Sequence, residues 1–369
     1  MNKFFQATLF VSIILLTVSC TNSKKNDSAP EDGKNIISHA SLLSIADYDG
    51  YSVAKVTNPW DTTQILATYI LVPRGTHPAG LPQGTIVQTP LRSSLVYSGV
   101  YGGVINELGA TDAITGVADG GYFRDSTIVR RIKTGRIVDV GNSMSPSIEK
   151  IVELNPEAIL TSPYQNSGHG AIESLGSPII EMADYMEQTP LGRAEWIKLI
   201  GRLYGKTAGA DSIYDSVCNA YTSLIYTTTG TKPLVITEQP FEGTWAMPGG
   251  NSYMARLIAD AGGRYPWADD KSTGSIQLDP AAVIDKAENA DIWIIRSYGP
   301  LTLDGIRSNI QLASRIKAFR NGGVYVCDTS SSPLFDEFPF HPERLLKDYF
   351  LIMHPESSIG TPQYFKRLR

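Results

Sequence analysis

The sequence is poor in the residues that most often build metal and redox sites. Among 369 residues there are three cysteines and five histidines, and no pair of them has the spacing of a zinc-binding motif. The histidines are scattered along the chain: His39, His77, His169, His341 and His354. The formal net charge of −5 is dispersed and forms no basic stripe. These features argue against a bare transition-metal ion as ligand and against a nucleic-acid partner.

The chain also lacks the common catalytic motifs. It has no G-x-S-x-G nucleophile elbow and no P-loop, and Gly99–Gly103 (GVYGG) is not a dinucleotide fingerprint. A triad could be drawn from Ser93 or Ser94 with His169 and an aspartate, but nothing in the spacing requires one. We therefore predict that the protein is not an enzyme, with no catalytic residue and no intrinsic cofactor.

A short apolar run, Leu9–Leu16 (LFVSIILL), follows Lys3 near the N-terminus and is too short to span a bilayer. Thr17-Val18-Ser19-Cys20 comes directly after it and resembles a bacterial lipobox. We predict a lipoprotein signal peptide over residues 1–19, lipidation of Cys20 and a flexible polar tether over residues 20–35. The protein would then lie in the periplasm, anchored to a bacterial membrane. The alternative is an ordinary signal peptide with a chance cysteine.

Beyond the tether, a β-rich segment precedes two regions in which strands and helices alternate. Residues 36–84 contain YSVAKVT and ILATYILV and predict a β-hairpin extension. Residues 85–206 and 230–369 predict two Rossmann-like α/β lobes with mainly parallel sheets. In the first lobe we predict a strand at Thr85–Gln88 and a helix over Arg92–Leu108.

One long helix is predicted between the lobes, over Thr207–Thr227 of a linking segment 207–229. Ile213, Val217 and Leu224 form an apolar stripe at helical spacing. A helix of this length is roughly 30 Å long and could join two compact units. The segments Glu149–Leu160 and Ala281–Ile294 resemble each other, which fits two similar lobes.

The order of several segments is similar to that of the iron-siderophore, haem and cobalamin binding proteins of bacterial ABC importers. These segments are GRIVDVGNSMSPSIEKIVELNPEAILTS, MPGGNSYMARLIADAGG and RNGGVYVCD. The resemblance extends from about Thr85 to Glu356. It implies two lobes bridged by one rigid helix (the class III architecture), with a ligand held in the cleft between them.

The resemblance also implies that one exposed glutamate on each lobe binds arginines of the permease subunits in the inner membrane. The N-lobe glutamate matches Glu149. The corresponding C-lobe position is Ala281, with Asp279, Asp285 or Glu288 as possible substitutes. An acidic residue in the first turn of a helix is also favoured by the helix dipole, which is an alternative explanation for Glu149.

The loops that follow the predicted strands contain arginines and aromatic residues. Arginine suits anionic chelates and propionates, and aromatic walls suit large flat ligands. Each of these residues could instead cover the edge of the core. The candidate ligand-binding residues are Arg92, Tyr122, Arg124, Tyr164, His169, Trp245, Tyr253, Trp267, Arg296 and Tyr298, with Phe335 and Phe338 nearby.

The function predicted from these features is a lipid-anchored, monomeric receptor that captures an iron complex, either a ferric siderophore or haem, for an ABC permease. The same receptor with a corrinoid ligand is the nearest alternative, because Trp245 and Trp267 could flank a corrin. Functions of a different class that stay open are those of a hydrolase and of an adhesin-like lipoprotein.

Overall fold

A computed structural model describes residues 33–225 and 232–369. The predicted signal peptide, Cys20, most of the tether and the end of the predicted long helix after Ile225 lie outside these ranges. Within the described part of the chain, no helix combines the length and the apolar character needed to cross a membrane. Cys218 and Cys327 are free thiols.

The N-terminal extension forms a five-stranded sheet in the order β1-β2-β3-β4-β5. Its strands are β1 (Lys34–Asn35), β2 (Leu43–Tyr48), β3 (Tyr51–Thr57), β4 (Ile65–Pro73) and β5 (Thr85–Thr89). Strands β1 to β4 are antiparallel, and β5 joins β4 in parallel. The predicted hairpin was therefore too small, and the strand that we placed first in the N lobe belongs to this sheet. Its buried Val87 and Thr89 would suit either sheet, so the pattern does not reveal the partner.

Two buried glutamates attach this extension to the rest of the protein. The Glu195 carboxylate accepts the backbone N–H groups of Ser38, His39 and Ala40 at 2.6–3.1 Å and the Lys198 ammonium at 2.8 Å. Glu187 accepts the backbone N–H groups of Ser41 and Leu42 in the same way. The extension also shares one continuous apolar core with both lobes. It is thus an integral part of the fold.

The N lobe is built on a parallel sheet in the order β10-β9-β6-β7-β8. Its elements are β6 (Ser94–Val96), α1 (Gly99–Glu107), β7 (Ile114–Val117), α2 (Ser126–Lys133), β8 (Val138–Asp139), α3 (Ile148–Leu154), β9 (Ala158–Thr161), β10 (Ile179–Glu181), α4 (Pro190–Ala194) and α5 (Ile197–Leu203). The helix predicted over Arg92–Leu108 begins later than expected, at Gly99. Ser94–Val96 is the fully buried central strand, and the Ser98 side chain then caps α1 by accepting the Val100 N–H.

The C lobe contains a sheet in the order β11-β14-β15-β16, parallel except for β16, and a separate antiparallel pair β12-β13. Its elements are β11 (Val235–Thr237), β12 (Trp245–Pro248), α7 (Tyr253–Asp260), β13 (Ser275–Leu278), α8 (Pro280–Ala287), β14 (Ile292–Ser297), α9 (Leu303–Asn309), α10 (Lys317–Arg320), β15 (Val324–Asp328), α11 (Leu334–Glu337), α12 (Pro342–Met353) and β16 (Lys366–Arg367). The fold is thus α/β with mainly parallel sheets, as predicted.

The long helix runs over Thr207–Ile225 between the two lobes in sequence, and we label it α6. It packs against α5 of the N lobe and α12 of the C lobe. Its buried face consists of Ala210, Tyr214, Val217 and Tyr221. The Tyr221 hydroxyl donates to Asp260 in α7 at 2.8 Å, so this helix is bonded to the C lobe as well as packed on it.

Candidate functional site

Two neighbouring cavities lie between the lobes and together form a cleft. The first chamber has a volume of about 400 Å³ and is lined by residues such as Tyr97, Asp119, Tyr122, Arg124 and Tyr298. The second chamber, of about 450 Å³, is lined by residues such as Tyr185, Arg193, Glu238, Tyr253, Arg296 and Phe338. Val100 of the N lobe and Phe335 of the C lobe line both chambers. Each chamber therefore takes side chains from both lobes.

The parallel strands place many of these residues. Tyr97 directly follows β6, and Asp119 comes two residues after the end of β7. Arg296 and Tyr298 lie at and just after the end of β14. Because the carboxyl ends of parallel strands meet at one edge of a sheet, the loops beyond them converge. The first chamber is therefore formed by loops from the carboxyl edges of both lobes' sheets.

The first chamber contains an unusual pair of polar groups. Asp119 has a left-handed backbone (φ 52°), a conformation that is uncommon for a residue other than glycine. The Tyr97 hydroxyl is buried and has no hydrogen-bond partner among the described residues. Burial, with a smaller contribution from Asp119, raises the pKa of Tyr97 to about 12. The phenol is therefore neutral at physiological pH and is available to hydrogen-bond a ligand atom.

The second chamber contains two arginines, one from each lobe. Arg193 in α4 donates from Nε to the fully buried Asp184 at 3.0 Å. Arg296 in β14 donates from Nε to Glu238 Oε1 at 2.7 Å. Burial opposes the charge of Arg296, but Glu238 outweighs it and raises the pKa of Arg296 above its ordinary value. Both guanidinium groups are therefore held in fixed positions while charged.

Aromatic rings surround these two guanidinium groups. The Arg193 guanidinium carbon lies 5.0 Å from the centre of the Tyr253 ring and 5.3 Å from that of Phe338. The Arg296 guanidinium carbon lies 5.6 Å from the centre of the Phe335 ring. Within the described residues, neither Nη atom of Arg193 and only one of Arg296 makes a hydrogen bond. The remaining N–H groups can bind an acidic or carbonyl oxygen of a ligand.

The structure brings together five of the predicted site residues in the cleft. Tyr122, Arg124 and Tyr298 line the first chamber, and Tyr253 and Arg296 line the second. Phe335 and Phe338, which we had placed near the site, line it as well.

Two further predicted residues lie in a separate pocket of the N lobe. Tyr164 and His169 line a cavity of about 330 Å³ that shares Tyr97 with the first chamber. His169 Nε2 lies 2.8 Å from Glu181 Oε1, and this hydrogen bond raises the pKa of His169. The imidazole is thus occupied by a carboxylate partner of its own lobe.

The remaining three predicted residues lie away from the cleft. Trp245 is fully buried, donates to the carbonyl of Thr237 and packs on Trp293, so it leaves no face for a ligand. Trp267 is buried beside Tyr265. Arg92 is exposed and lines neither chamber. The expectation that Trp245 and Trp267 could flank a corrin is therefore wrong.

The cleft residues that the sequence prediction missed include Tyr97, Asp119, Arg193 and Glu238. Asp119 lies in the glycine-rich segment ADGGYFR just after β7, and that position was the available signal. Arg193 lies in the short helix α4, and not in a loop that directly follows a strand. Nothing in its local pattern distinguishes it from a surface arginine.

The predicted docking glutamate lies on the surface of the N lobe. Glu149 is exposed in the first turn of α3, and Ala281 is exposed in the first turn of α8. Asp285 and Glu288 both form ion pairs with Arg315, at 2.9 Å and 3.6 Å. Asp279 caps α8 by accepting two backbone N–H groups. The candidate substitutes for a C-lobe glutamate therefore already have roles within the lobe.

Across residues 33–225 and 232–369, no group of three or more His, Cys, Asp or Glu side chains is arranged to hold a metal ion.

The fold and the cleft define a two-lobed α/β protein with a ligand-sized cavity between its lobes. Comparison with known proteins then identifies the family. The family model described as "Periplasmic binding protein" matches residues 96–330, more than half of the chain. The chain belongs to the periplasmic binding protein family, whose members are solute-binding proteins and not enzymes. The resemblance found in the sequence is confirmed.

Solved structures of such proteins share the fold. They include FepB from Veillonella parvula (TM-score 0.57, 17% identity, covering 76% of this chain and 96% of that one). A haem-binding protein from Pseudomonas aeruginosa has a TM-score of 0.56 and 14% identity, with 76% and 98% of the two chains covered. The vitamin B12 binding protein BtuF of Vibrio cholerae has a TM-score of 0.53 and 13% identity, with 72% and 98% covered.

Two relatives by sequence are uncharacterised lipoproteins of Methanocaldococcus jannaschii. One is 28% identical over 249 residues, which are 66% of this chain and 58% of the relative. The other is 24% identical over 360 residues, which are 91% of this chain and 87% of the relative. The chain thus spans less than two thirds of the first relative and most of the second.

Proposed function

We propose that this protein is a lipid-anchored receptor that captures an iron complex, either a ferric siderophore or haem, in the interlobe cleft and delivers it to an ABC permease. The observation that carries the proposal is the pair of arginines, Arg193 and Arg296, which reach the second chamber from opposite lobes. Their unused N–H groups match the carboxylate or propionate oxygens of such a ligand. The aromatic rings around them suit its flat or apolar part.

A corrinoid is the alternative ligand. The observation in its favour is the aromatic lining of both chambers, which extends beyond the two arginines to Tyr97, Tyr122 and Tyr298. A corrinoid has amides in place of carboxylates on its peripheral side chains, so it would depend more on these rings and less on the two guanidinium groups. The two ligand classes therefore make different demands on Arg193 and Arg296.

Titration of intrinsic tryptophan fluorescence tests both ligand classes, the iron complex and the corrinoid. Trp293 donates to the backbone carbonyl of Glu238 at 2.7 Å, so a ligand in the second chamber lies close to a fluorophore. The titrants are haemin, a ferric carboxylate siderophore, a ferric hydroxamate and cyanocobalamin. We expect binding of one iron complex, weakened at least about tenfold in Arg193→Gln because a charged hydrogen bond is lost. Arg307→Gln, an exposed arginine on α9, is the matched control.

The outcomes separate the two ligand classes. If cyanocobalamin binds and Arg193→Gln does not change its affinity, the ligand is a corrinoid and not an iron complex. No fluorescence change with any of the four titrants would refute the receptor proposal.

The lipid anchor and the permease partner belong to the same proposal. We expect Cys20→Ser to abolish incorporation of labelled palmitate in growing cells, whereas Cys218→Ser leaves it unchanged. We expect Glu149→Ala to reduce uptake of the bound complex without changing its affinity. Glu153→Ala, another exposed residue of the same helix, is the control, and equal uptake by both variants would remove Glu149 from the docking surface.

A further inference from the structure

Two side chains, one from each lobe, lie at the boundary between the two chambers, and the larger of them is Phe335. Phe335 and Val100 line both cavities, and the Phe335 side chain is 44% exposed although it lies at the centre of the cleft. The Arg296 guanidinium carbon lies 5.6 Å from its ring centre, and the Phe338 ring lies 6.3 Å away. The ring is therefore supported from the C-lobe side and faces the N lobe across the cleft.

The helix that carries Phe335 is fixed in position by the N lobe. A Cβ atom added to Gly99 would lie 2.7 Å from Oδ1 of Asp336, the next residue of α11. The same aspartate accepts the backbone N–H of Arg124 at 2.9 Å. Gly99 and Arg124 thus position Asp336, and with it the neighbouring Phe335, so that the ring stands between the lobes.

The two chambers on either side of this ring differ in chemistry. The second chamber contains the guanidinium groups of Arg193 and Arg296. The first contains one arginine, Arg124, together with the half-buried Asp119 and the Tyr97 hydroxyl, which has no hydrogen-bond partner among the described residues. Because each chamber has a volume of roughly 400 Å³, it accommodates a small organic group. Joined together, they would accommodate a considerably larger rigid ligand.

We propose that Phe335 is a specificity-determining residue that limits the size and shape of the ligand by dividing the interlobe cleft into two chambers. The proposal rests on the receptor function argued above. The ring discriminates against a rigid ligand that would have to cross the boundary between the chambers, and accepts one that is seated in the second chamber on the two arginines. Smaller side chains at position 335 remove this barrier, so the variants bind a wider range of ligands.

The first test uses the fluorescent anionic dye 8-anilinonaphthalene-1-sulfonate, which does not depend on the identity of the natural ligand. We expect Phe335→Ala to raise the emission of the bound dye at least about threefold over the wild type, because the joined chambers admit the dye beside the two arginines. Phe335→Tyr should behave like the wild type. Phe241→Ala removes an equally large side chain that is 76% exposed and lines neither chamber, and it should also leave the emission unchanged.

The second test compares affinities for haemin, a ferric hydroxamate and cyanocobalamin. A pocket wall can contribute about tenfold or more to the discrimination between two ligands. We therefore expect that the dissociation constants of the two tightest-binding probes differ about tenfold less in Phe335→Ala than in the wild type. Cooperative thermal unfolding establishes that Phe335→Ala is folded. If Phe335→Ala does not fold, Phe335→Leu is used instead. Equal dye emission from Phe335→Ala and Phe241→Ala, or an unchanged affinity ratio, would overturn the proposal. If the wild type binds none of the three probes, the receptor function fails, while the dye measurement still decides the role of Phe335.

Discussion

The ion pair between Glu107 and His341 joins the two lobes and makes their stability depend on pH. His341 Nε2 lies 2.8 Å from Oε2 of Glu107 in α1, and its Nδ1 lies 3.2 Å from Oε1 of Glu343. Burial of the imidazole opposes protonation, but the hydrogen bonds to the two carboxylates outweigh it and raise the pKa of His341 from 6.5 to about 9. The imidazolium therefore holds its charge at neutral pH.

The direction of the effect follows from linkage. Since the pKa is higher in the folded state, the stabilisation is complete below pH 6.5 and is lost as the pH rises through about 9. The difference between these two values corresponds to about 3 kcal/mol in the free energy of unfolding. Because His341 is 7% exposed, little of this is lost to solvent screening.

Urea unfolding of the wild type and His341→Gln at about pH 6 and about pH 10 measures this contribution. We expect the two proteins to differ by about 3 kcal/mol more at the lower pH than at the higher one. Other titrating groups cancel in the comparison, because they are common to both proteins. Glu107→Gln should remove part of the same pH dependence by taking away one carboxylate. A difference between wild type and His341→Gln that changes by less than about 0.5 kcal/mol over this range would refute the reasoning.

Two further predictions concern contacts that set the geometry of the cleft. Glu195→Gln replaces a buried carboxylate that accepts three backbone N–H groups and the Lys198 ammonium. We expect urea unfolding to show that this variant loses about 3 kcal/mol in the free energy of unfolding. The exposed Glu153→Gln should show no change. A loss below about 1 kcal/mol would mean that the extension is held by its core alone. Gly99→Val places a side chain against the Asp336 carboxylate, so we expect α11 to be displaced and the tightest ligand to bind about tenfold more weakly. Gly109→Val, at a helix end with open space around it, is expected to reduce stability without changing affinity, and equal affinities for both variants would contradict the role of Gly99.

Much of the fold could be predicted from local pattern, because buried parallel strands are short apolar runs with helices between them. The errors arose where one pattern suits two structures. Ser94–Val96 (SLV) is short and mostly apolar and precedes a helix, so its pattern suits that helix equally well. Only its position at the centre of the sheet identifies it as a strand. Thr85–Thr89 suits either neighbouring sheet, and only the parallel pairing with β4 decides between them.

The candidate site was predicted in part for the same reason. Arg296 and Tyr298 were predicted because they lie at and just after the end of a recognisable strand, where cleft loops begin. Arg193 was missed because it reaches the cleft from a helix, and its contact with Tyr253 joins segments far apart in sequence. Trp245 was wrongly included because the contacts that bury it come from distant segments. Its antiparallel partner strand, β13, lies about thirty residues further along the chain, and its ring packs on Trp293.

The central claim, that the cleft holds a metal-containing ligand through two arginines, is tested most directly on protein purified from its native membrane. Visible absorption and metal analysis of the wild type should show one bound chromophore with iron in equal amount to the chain. The double variant Arg193→Gln/Arg296→Gln, prepared in the same way, should be colourless and free of iron. A colourless, metal-free wild type, or a double variant that retains the chromophore, would contradict the account.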